Sequence, residues 1–117
     1  MNIIFGSAVN EIPDSYTVLE LDTIRLPNSP EPVAFYCLVE KIPLGDFATI
    51  EHWKKIHNDV LRLYKQRQWN YCEKALESLM GKWNGEVDTF YQSLLERVKE
   101  YKITPPSESW DGILDKQ

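Results

Sequence analysis

Glycine, runs of positive charge and long apolar stretches are all scarce in this sequence. The chain of 117 residues contains five glycines, and none of them forms a glycine-rich phosphate-binding loop. No basic run is longer than Lys54-Lys55, and the net charge is -5. Nucleic acid is therefore not expected as a partner, because phosphate binding requires a basic surface. No apolar run approaches the roughly 18 residues that cross a bilayer, so no membrane segment is expected.

The sequence also shows no secretory signal and no cysteine in a setting that would make it reactive. Met1 leads into Ile3-Ile4-Phe5 without the basic region that opens a secretory signal, which predicts a cytoplasmic location. The two cysteines, Cys37 and Cys72, lie in apolar patterns that predict a strand and a helix. Neither lies in a turn or beside a positive charge that would activate the thiol. Both are therefore predicted to be reduced core residues.

Histidine is also scarce, with two residues in the chain. His52 and His57 lie about 140° apart around a helix rather than on one face. Metal-binding pairs on a helix are spaced by three or four residues, so we predict surface histidines. Glu20 and Asp22 would point to the same side of a strand, although such pairs usually form a solvated face. The sequence assigns no catalytic, cofactor-binding or metal-ligating residue, and it argues against enzymatic activity of this chain alone.

The chain divides near Pro43-Leu44-Gly45 into a β-rich part and a helical part. Pro27–Pro30 has turn composition, and Ser7–Ile12 is expected to form a single helical turn. The β-branched and aromatic residues of the first part predict three strands, at Ile3–Phe5, Tyr16–Leu26 and Val33–Val39.

After this division the apolar residues recur every three or four positions, which predicts three helices. Asp46 is expected to cap the first, Gly81 to end the second, and Pro105-Pro106 to stop the third. The first helix has apolar positions Ile50, Trp53, Ile56, Val60, Leu61 and Tyr64. The second has Trp69, Cys72, Leu76, Leu79 and Met80, and the third has Val87, Phe90, Tyr91, Leu94, Leu95, Val98 and Tyr101.

These elements together predict an α+β fold, with a small antiparallel β-hairpin or three-stranded sheet followed by three antiparallel helices. Trp69 directly after a turn, with Ala75 six residues later, is typical of tetratricopeptide-like helices. The predicted divisions are 1–42 for the sheet part, 46–103 for the helical module and 104–117 for a polar tail.

Three aromatic residues are the candidates for partner contact or for docking of the tail: Trp69, Tyr91 and Trp110. Trp110 lies in a polar, proline-flanked segment that no helix explains. It either fills a groove on the helices, which we prefer, or is presented to a partner. Aromatic residues at helical spacing are more often core than binding surface.

One hairpin resembles a known family. Tyr16–Leu26, with Glu20-Leu21-Asp22 at its centre, followed by Pro32-Val33 and a closing aromatic, is similar to the last hairpin of class III adenylate and guanylate cyclases. The preceding Ile3–Gly6 and Ile12–Asp14 fit the strand and short helix upstream of that hairpin.

The second half of the chain resembles the same family. Many bacterial cyclases with extracytoplasmic sensors carry a helical tail after the catalytic domain, and the similar residues here are Trp69, Arg97, Pro105-Pro106 and Trp110-Asp111-Gly112. The resemblance thus spans nearly the whole chain.

The resemblance implies that the catalytic groups are not in this chain. The family's two metal-binding aspartates, and the Asn and Arg that stabilise the transition state, belong to segments upstream of this hairpin. The family's hairpin turn usually carries Val-Lys-Gly-Lys, whose first Lys contacts the triphosphate. The equivalent positions here are Leu26, Pro27, Asn28 and Ser29, which carry no positive charge.

The leading hypothesis is a non-catalytic C-terminal fragment of a class III adenylate cyclase, a truncated domain with a helical regulatory or interaction module linked to cyclic-nucleotide signalling. The alternative is a freestanding helical-repeat adaptor that binds a protein or peptide in a groove near Trp69 and Tyr91. A third possibility is that the chain completes a cyclase with a separate polypeptide. An exposed sheet edge would favour a protein partner or self-association.

Overall fold

The structure is a computed structural model that describes residues 2–5, 16–27, 31–40 and 47–115. It confirms the predicted α+β fold, with an antiparallel sheet followed by three helices. The expected helical turn at Ser7–Ile12, the Asp46 cap and most of the Pro27–Pro30 turn lie outside the described residues. The elements are β1 (Asn2–Phe5), β2 (Tyr16–Arg25), β3 (Val33–Glu40), α1 (Phe47–Lys65), α2 (Trp69–Leu79), a 3-10 turn (Trp83–Gly85), α3 (Asp88–Ile103) and β4 (Leu114–Asp115).

The sheet has the strand order β1-β3-β2-β4. β3 pairs antiparallel with both β1 and β2, and Leu19 lies opposite Cys37 in the β2–β3 pair. β4 adds to the outer side of β2 in parallel, with Ile24 opposite Leu114. This fourth strand, which comes from the tail, was not predicted, because a two-residue strand leaves no periodic signal in the sequence.

A register shift interrupts β2 between Glu20 and Thr23. Up to that point the side chains alternate regularly, with Thr17, Leu19 and Leu21 buried. Beyond Leu21 the alternation breaks, and Asp22 reaches Arg97 on α3. A β-bulge of this kind changes the phase of the strand, and of the Glu20–Asp22 pair the structure places the Asp22 carboxylate against α3.

The helices begin and end close to the predicted residues. α1 ends at Lys65, and Arg67 in the following turn has a left-handed φ of 61°, which allows α2 to start at Trp69. Gly81 has a φ of 79° after α2, as expected for a residue at a helix C-terminus. Among the described residues, no helix has both the length and the apolar character that crossing a bilayer requires.

The sheet and the helices share one hydrophobic core. Trp83, in the 3-10 turn, is fully buried and meets Trp53 edge to face at 5.5 Å. The sheet contributes Leu19, Leu21, Cys37 and Val39 to this core. The helical part contributes Ile50, Val60, Tyr64, Cys72, Leu76, Leu79, Trp83, Val87, Tyr91, Leu94 and Val98.

Candidate functional site

The three helices form an aromatic groove that the tail fills. Each helix contributes one ring: Tyr64 from α1, Trp69 from α2 and Tyr101 from α3. The indole of Trp110 lies among them, with ring centroids 5.2 Å from Tyr64, 5.9 Å from Trp69 and 5.5 Å from Tyr101. Tilted and edge-to-face contacts at these distances are favourable for aromatic pairs. We call Tyr64, Trp69 and Tyr101 the aromatic groove.

The guanidinium of Arg67 holds the tail in this groove. It lies 5.4 Å from the Trp110 ring centroid, which is a cation–π geometry. The same guanidinium donates hydrogen bonds to the backbone carbonyl of Pro106 at 3.1 Å and to that of Ser107. The short turn between α1 and α2 therefore places a single side chain that holds both the ring and the backbone of the tail.

The tail has a second attachment at the sheet. Asp111 accepts a hydrogen bond from the Arg25 guanidinium at 2.9 Å. Gly112 follows with a φ of 83°, and a Cβ atom there would lie 3.0 Å from the Lys65 Cγ atom, so a larger residue would be strained at this position. β4 then pairs with the end of β2. The tail thus contacts all three helices and the sheet.

A separate cluster of polar side chains lies in the core. His57 has no exposed surface, its Nε2 atom is 2.6 Å from the Glu20 carbonyl oxygen, and its Nδ1 atom is 2.9 Å from the Tyr91 hydroxyl. The Trp83 indole N–H donates to the same hydroxyl at 3.1 Å. Because a carbonyl only accepts, His57 Nε2 carries the proton and Nδ1 accepts from Tyr91. Every member of this cluster is satisfied.

The prediction of surface histidines is correct for His52, which is exposed, and wrong for His57. Burial lowers the pKa of His57 below its ordinary value of 6.5, although the hydrogen bond to Glu20 opposes the shift. His57 is therefore a neutral core residue at physiological pH. It packs on the same stripe of α1 as the buried Val60 and Tyr64, three and seven residues further along, and this spacing was the signal that sequence reasoning missed.

An ion pair joins the sheet to α3. Arg97 donates to both carboxylate oxygens of Asp22, at 3.1 and 3.4 Å, and to the Tyr64 hydroxyl at 3.2 Å. The exposed fractions of the two side chains are only 18% and 15%. A two-point contact of this kind fixes the orientation of the two side chains as well as their distance. The pair therefore holds β2 in place against α3, and the hydrogen bond to Tyr64 links the same guanidinium to α1.

The cysteines behave as the sequence predicted. Cys37 and Cys72 are both free and buried. Burial raises the pKa of each thiol to about 12, so both stay protonated and unreactive at neutral pH. Within the described part of the chain, no group of three or more His, Cys, Asp or Glu side chains is arranged to hold a metal ion.

Of the three aromatic candidates, the structure brings two together. Trp69 and Trp110 contact each other in the tail-filled groove, whereas Tyr91 is fully buried beside His57 and does not line that groove. Sequence reasoning missed Arg67, and it placed Tyr64 and Tyr101 only among core positions. A turn residue that holds the tail leaves no periodic signal.

Comparisons with protein-family models, with curated proteins and with solved structures found no match to this chain.

Proposed function

We propose that this chain is the C-terminal part of a class III nucleotide cyclase and acts as a non-catalytic regulatory or interaction module in cyclic-nucleotide signalling. In this proposal the helices and the tail pack against the last hairpin of a cyclase domain. The module would set the position of that hairpin and carry no catalytic group itself.

One observation carries the proposal: the two segments that resemble cyclases contact each other through the residues that define the resemblance. Asp22 of the Glu-Leu-Asp motif pairs with Arg97 of the helical segment. Asp111 of the Trp-Asp-Gly motif pairs with Arg25 of the hairpin. The tail also extends the hairpin by adding β4 to β2. In the proposal, the Glu-Leu-Asp and Trp-Asp-Gly motifs together hold the helices and the tail against the hairpin.

The chemistry of the described side chains favours a structural role over a catalytic one. His57 is neutral and bonded at both ring nitrogens, and neither thiol is activated. Among the described residues, no buried side-chain nitrogen or oxygen lacks a hydrogen-bond partner. Catalytic groups commonly have a shifted pKa and lie in a cleft. Here His57 and the two thiols lie in the packed core, and the lowered pKa of the exposed Asp111 carboxyl comes from its hydrogen bond with Arg25.

A cyclase assay tests the catalytic part of the proposal. The purified full chain is incubated with ATP and manganese, and cyclic AMP is measured against a mock purification from a cyclase-deficient host. We expect the two to give the same signal. Cyclic AMP that co-elutes with the chain would contradict a non-catalytic role.

The DNA upstream of the Met1 codon tests the origin of the chain. We expect that stretch to encode, in frame or after a frameshift, a cyclase segment with the two metal-binding aspartates. Unrelated upstream sequence would count against a cyclase origin and would favour an independent role.

The outer edge of the sheet is the proposed site for a further strand. Within the described residues, β1 pairs only with β3, and Ile3 on β1 is 53% exposed. An unpaired edge with an exposed apolar residue favours pairing with another chain. We expect Ile3→Asp to weaken any edge-mediated self-association in sedimentation measurements, because a charge opposes strand pairing there.

The adaptor alternative requires an open concave surface near Trp69 and Tyr91. Tyr91 has no exposed surface, and Trp110 covers the Trp69 ring. A peptide could therefore contact the face of Trp69 that Trp110 covers only after the tail leaves the aromatic groove.

A further inference from the structure

Tyr64 contacts both the tail and the ion pair that joins the sheet to α3. Its ring meets the Trp110 ring edge to face at 5.2 Å in the aromatic groove. Its hydroxyl accepts a hydrogen bond from the Arg97 guanidinium at 3.2 Å, and that guanidinium also lies 5.8 Å from the centre of the Tyr64 ring. Arg97 in turn donates to both carboxylate oxygens of Asp22. A continuous series of contacts therefore runs from Trp110 to Asp22.

The series of contacts ends at the bulge in β2. Asp22 lies at the register shift between Glu20 and Thr23, where the ladder of main-chain pairs is interrupted. The ion pair of Asp22 therefore supplies a restraint that the ladder does not supply at this point. The tail returns to the same place, since Gly112 lines one small pocket together with Asp22, Thr23 and Tyr64.

Burial makes this network sensitive to the loss of one member. Tyr64 is only 4% exposed, and the Arg97 and Asp22 side chains are also largely buried. Hydrogen bonds in a buried polar network are stronger than exposed ones and depend on one another. A close-packed interior also transmits a displacement instead of absorbing it. Loss of the Trp110 ring should therefore change the orientation of Tyr64 and weaken its hydrogen bond with Arg97.

We infer that Tyr64 is a positioning residue that couples docking of the tail to the position of the bulge in β2. Occupancy of the aromatic groove is thereby transmitted to the hairpin. Because coupling between two sites is reciprocal, a displaced tail weakens the Asp22 contact, and a lost Asp22 contact weakens tail docking by the same factor. The inference depends on these contacts alone and holds whether or not the chain derives from a cyclase.

A double-mutant cycle on the full chain measures the coupling. Urea unfolding gives the unfolding equilibrium constants of Trp110→Ala, of Asp22→Asn and of the double variant. We expect the double variant to fall short of the product of the two single effects by at least about fivefold. In the control cycle, Asp22→Asn is replaced by Ile50→Val, at a buried site about 21 Å from Tyr64 along α1. The effects in the control cycle should multiply within about twofold, and multiplicative effects in both cycles would overturn the inference.

Tyr64→Phe tests the route of the coupling. This variant keeps the ring that contacts Trp110 and loses the hydroxyl that accepts from Arg97. With Tyr64→Phe in all four members of the cycle, we expect the coupling between Trp110 and Asp22 to fall below about twofold. The tail also reaches β2 through the ion pair of Asp111. Coupling that keeps its full size would assign the effect to that second attachment and would overturn the role of Tyr64.

The indole resonance of Trp110 provides a measurement that applies even where Trp110→Ala does not fold. In the full chain labelled with nitrogen-15, this N–H signal is assigned by its absence from Trp110→Phe. Because the ring lies among three other aromatic rings, its chemical shift responds to small changes in their orientation. We expect Asp22→Asn to move the signal, and Arg62→Ala, in an exposed ion pair, to leave it in place. An unmoved signal in Asp22→Asn would overturn the inference.

Discussion

At the scale of single residues, His57 shows how one ring can join three elements. It extends from α1, donates to the Glu20 carbonyl on β2 and accepts from the Tyr91 hydroxyl on α3. The contact with β2 uses the backbone carbonyl of Glu20. The aromatic rings in contact with His57 are Phe90 and Tyr91, neither of which is charged at neutral pH. Neither ring therefore compensates a proton on Nδ1.

Acidification should therefore destabilise the fold through His57. The folded-state pKa is lowered, so the unfolded chain takes up the proton first and stability falls as the pH drops below about 6.5. The slope is at most about 1.4 kcal/mol per pH unit for one proton. Urea unfolding at several pH values measures it. We expect His57→Gln to flatten the slope in that window and exposed His52→Gln to leave it unchanged; identical slopes for both would contradict this role.

The Arg97–Asp22 pair is the second residue-scale determinant of stability. Asp22→Ala leaves the half-buried guanidinium without its partner, and we expect a loss of about 2–3 kcal/mol in the free energy of unfolding. The control is Arg62→Ala, which breaks the 3.4 Å pair with Asp59 on the exposed side of α1. Exposed ion pairs contribute less than about 1 kcal/mol to the free energy of unfolding. Similar losses in the free energy of unfolding for the two variants would show that the Asp22 pair contributes no more than an exposed pair.

Neither of these contacts could be read directly from the sequence. The apolar period of α1 places residue 57 on the buried stripe, whereas the spacing of the two histidines bears only on metal binding. The contact of Arg97 with Asp22 spans 75 positions, and it depends on a bulge that leaves no distinct pattern. Local periodicity fixes which side chains turn inward, whereas long-range pairing depends on how the elements pack.

At the scale of elements, the helices and the three antiparallel strands were predictable because each has its own period. α1 was expected from Ile50, Val60 and Tyr64, all of which are buried, and β2 and β3 from β-branched and aromatic runs. The tail was harder, since its polar composition gave no reason to expect β4. Trp110 favoured docking of the segment, but the sequence left presentation of this ring to a partner as the alternative.

The docked tail should contribute measurably to thermal stability. Trp110→Ala removes three ring contacts, and we expect a loss of about 2–3 kcal/mol, which lowers Tm by roughly 10 °C. Ending the chain at Ile103 should lower Tm at least as much. Glu108→Ala, at an exposed site in the same tail, should change the free energy of unfolding by less than about 0.5 kcal/mol. An unchanged Tm after both tail variants would favour a tail presented to a partner.

At the scale of the whole molecule, the sheet and the helices share a core, which makes independent unfolding of the predicted parts unfavourable. A hairpin alone is marginal in water, and Leu19, Leu21, Cys37 and Val39 are buried only because the helices cover them. The described part of the sheet, which ends at Glu40, and the helices, which begin at Phe47, contribute to this one core.

We therefore expect one cooperative unfolding transition. Far-UV circular dichroism and tryptophan fluorescence should give coincident denaturation curves, since small domains with a single core are usually two-state. Asp22→Ala should move both curves together, because it weakens the join between sheet and helices. An early transition in the far-UV signal alone would indicate that the sheet unfolds separately.

The bulge in β2 also determines which genetic changes the strand can accept. Before it, odd-numbered residues face the helices; after it, Ile24 lies opposite Val33 and the parity is reversed. Substituting Leu21 by another aliphatic residue alters only packing volume. Deleting a single codon there would restore regular alternation and invert the orientation of every later residue in the strand. Natural variation at this point should therefore be frequent in residue type and rare in length.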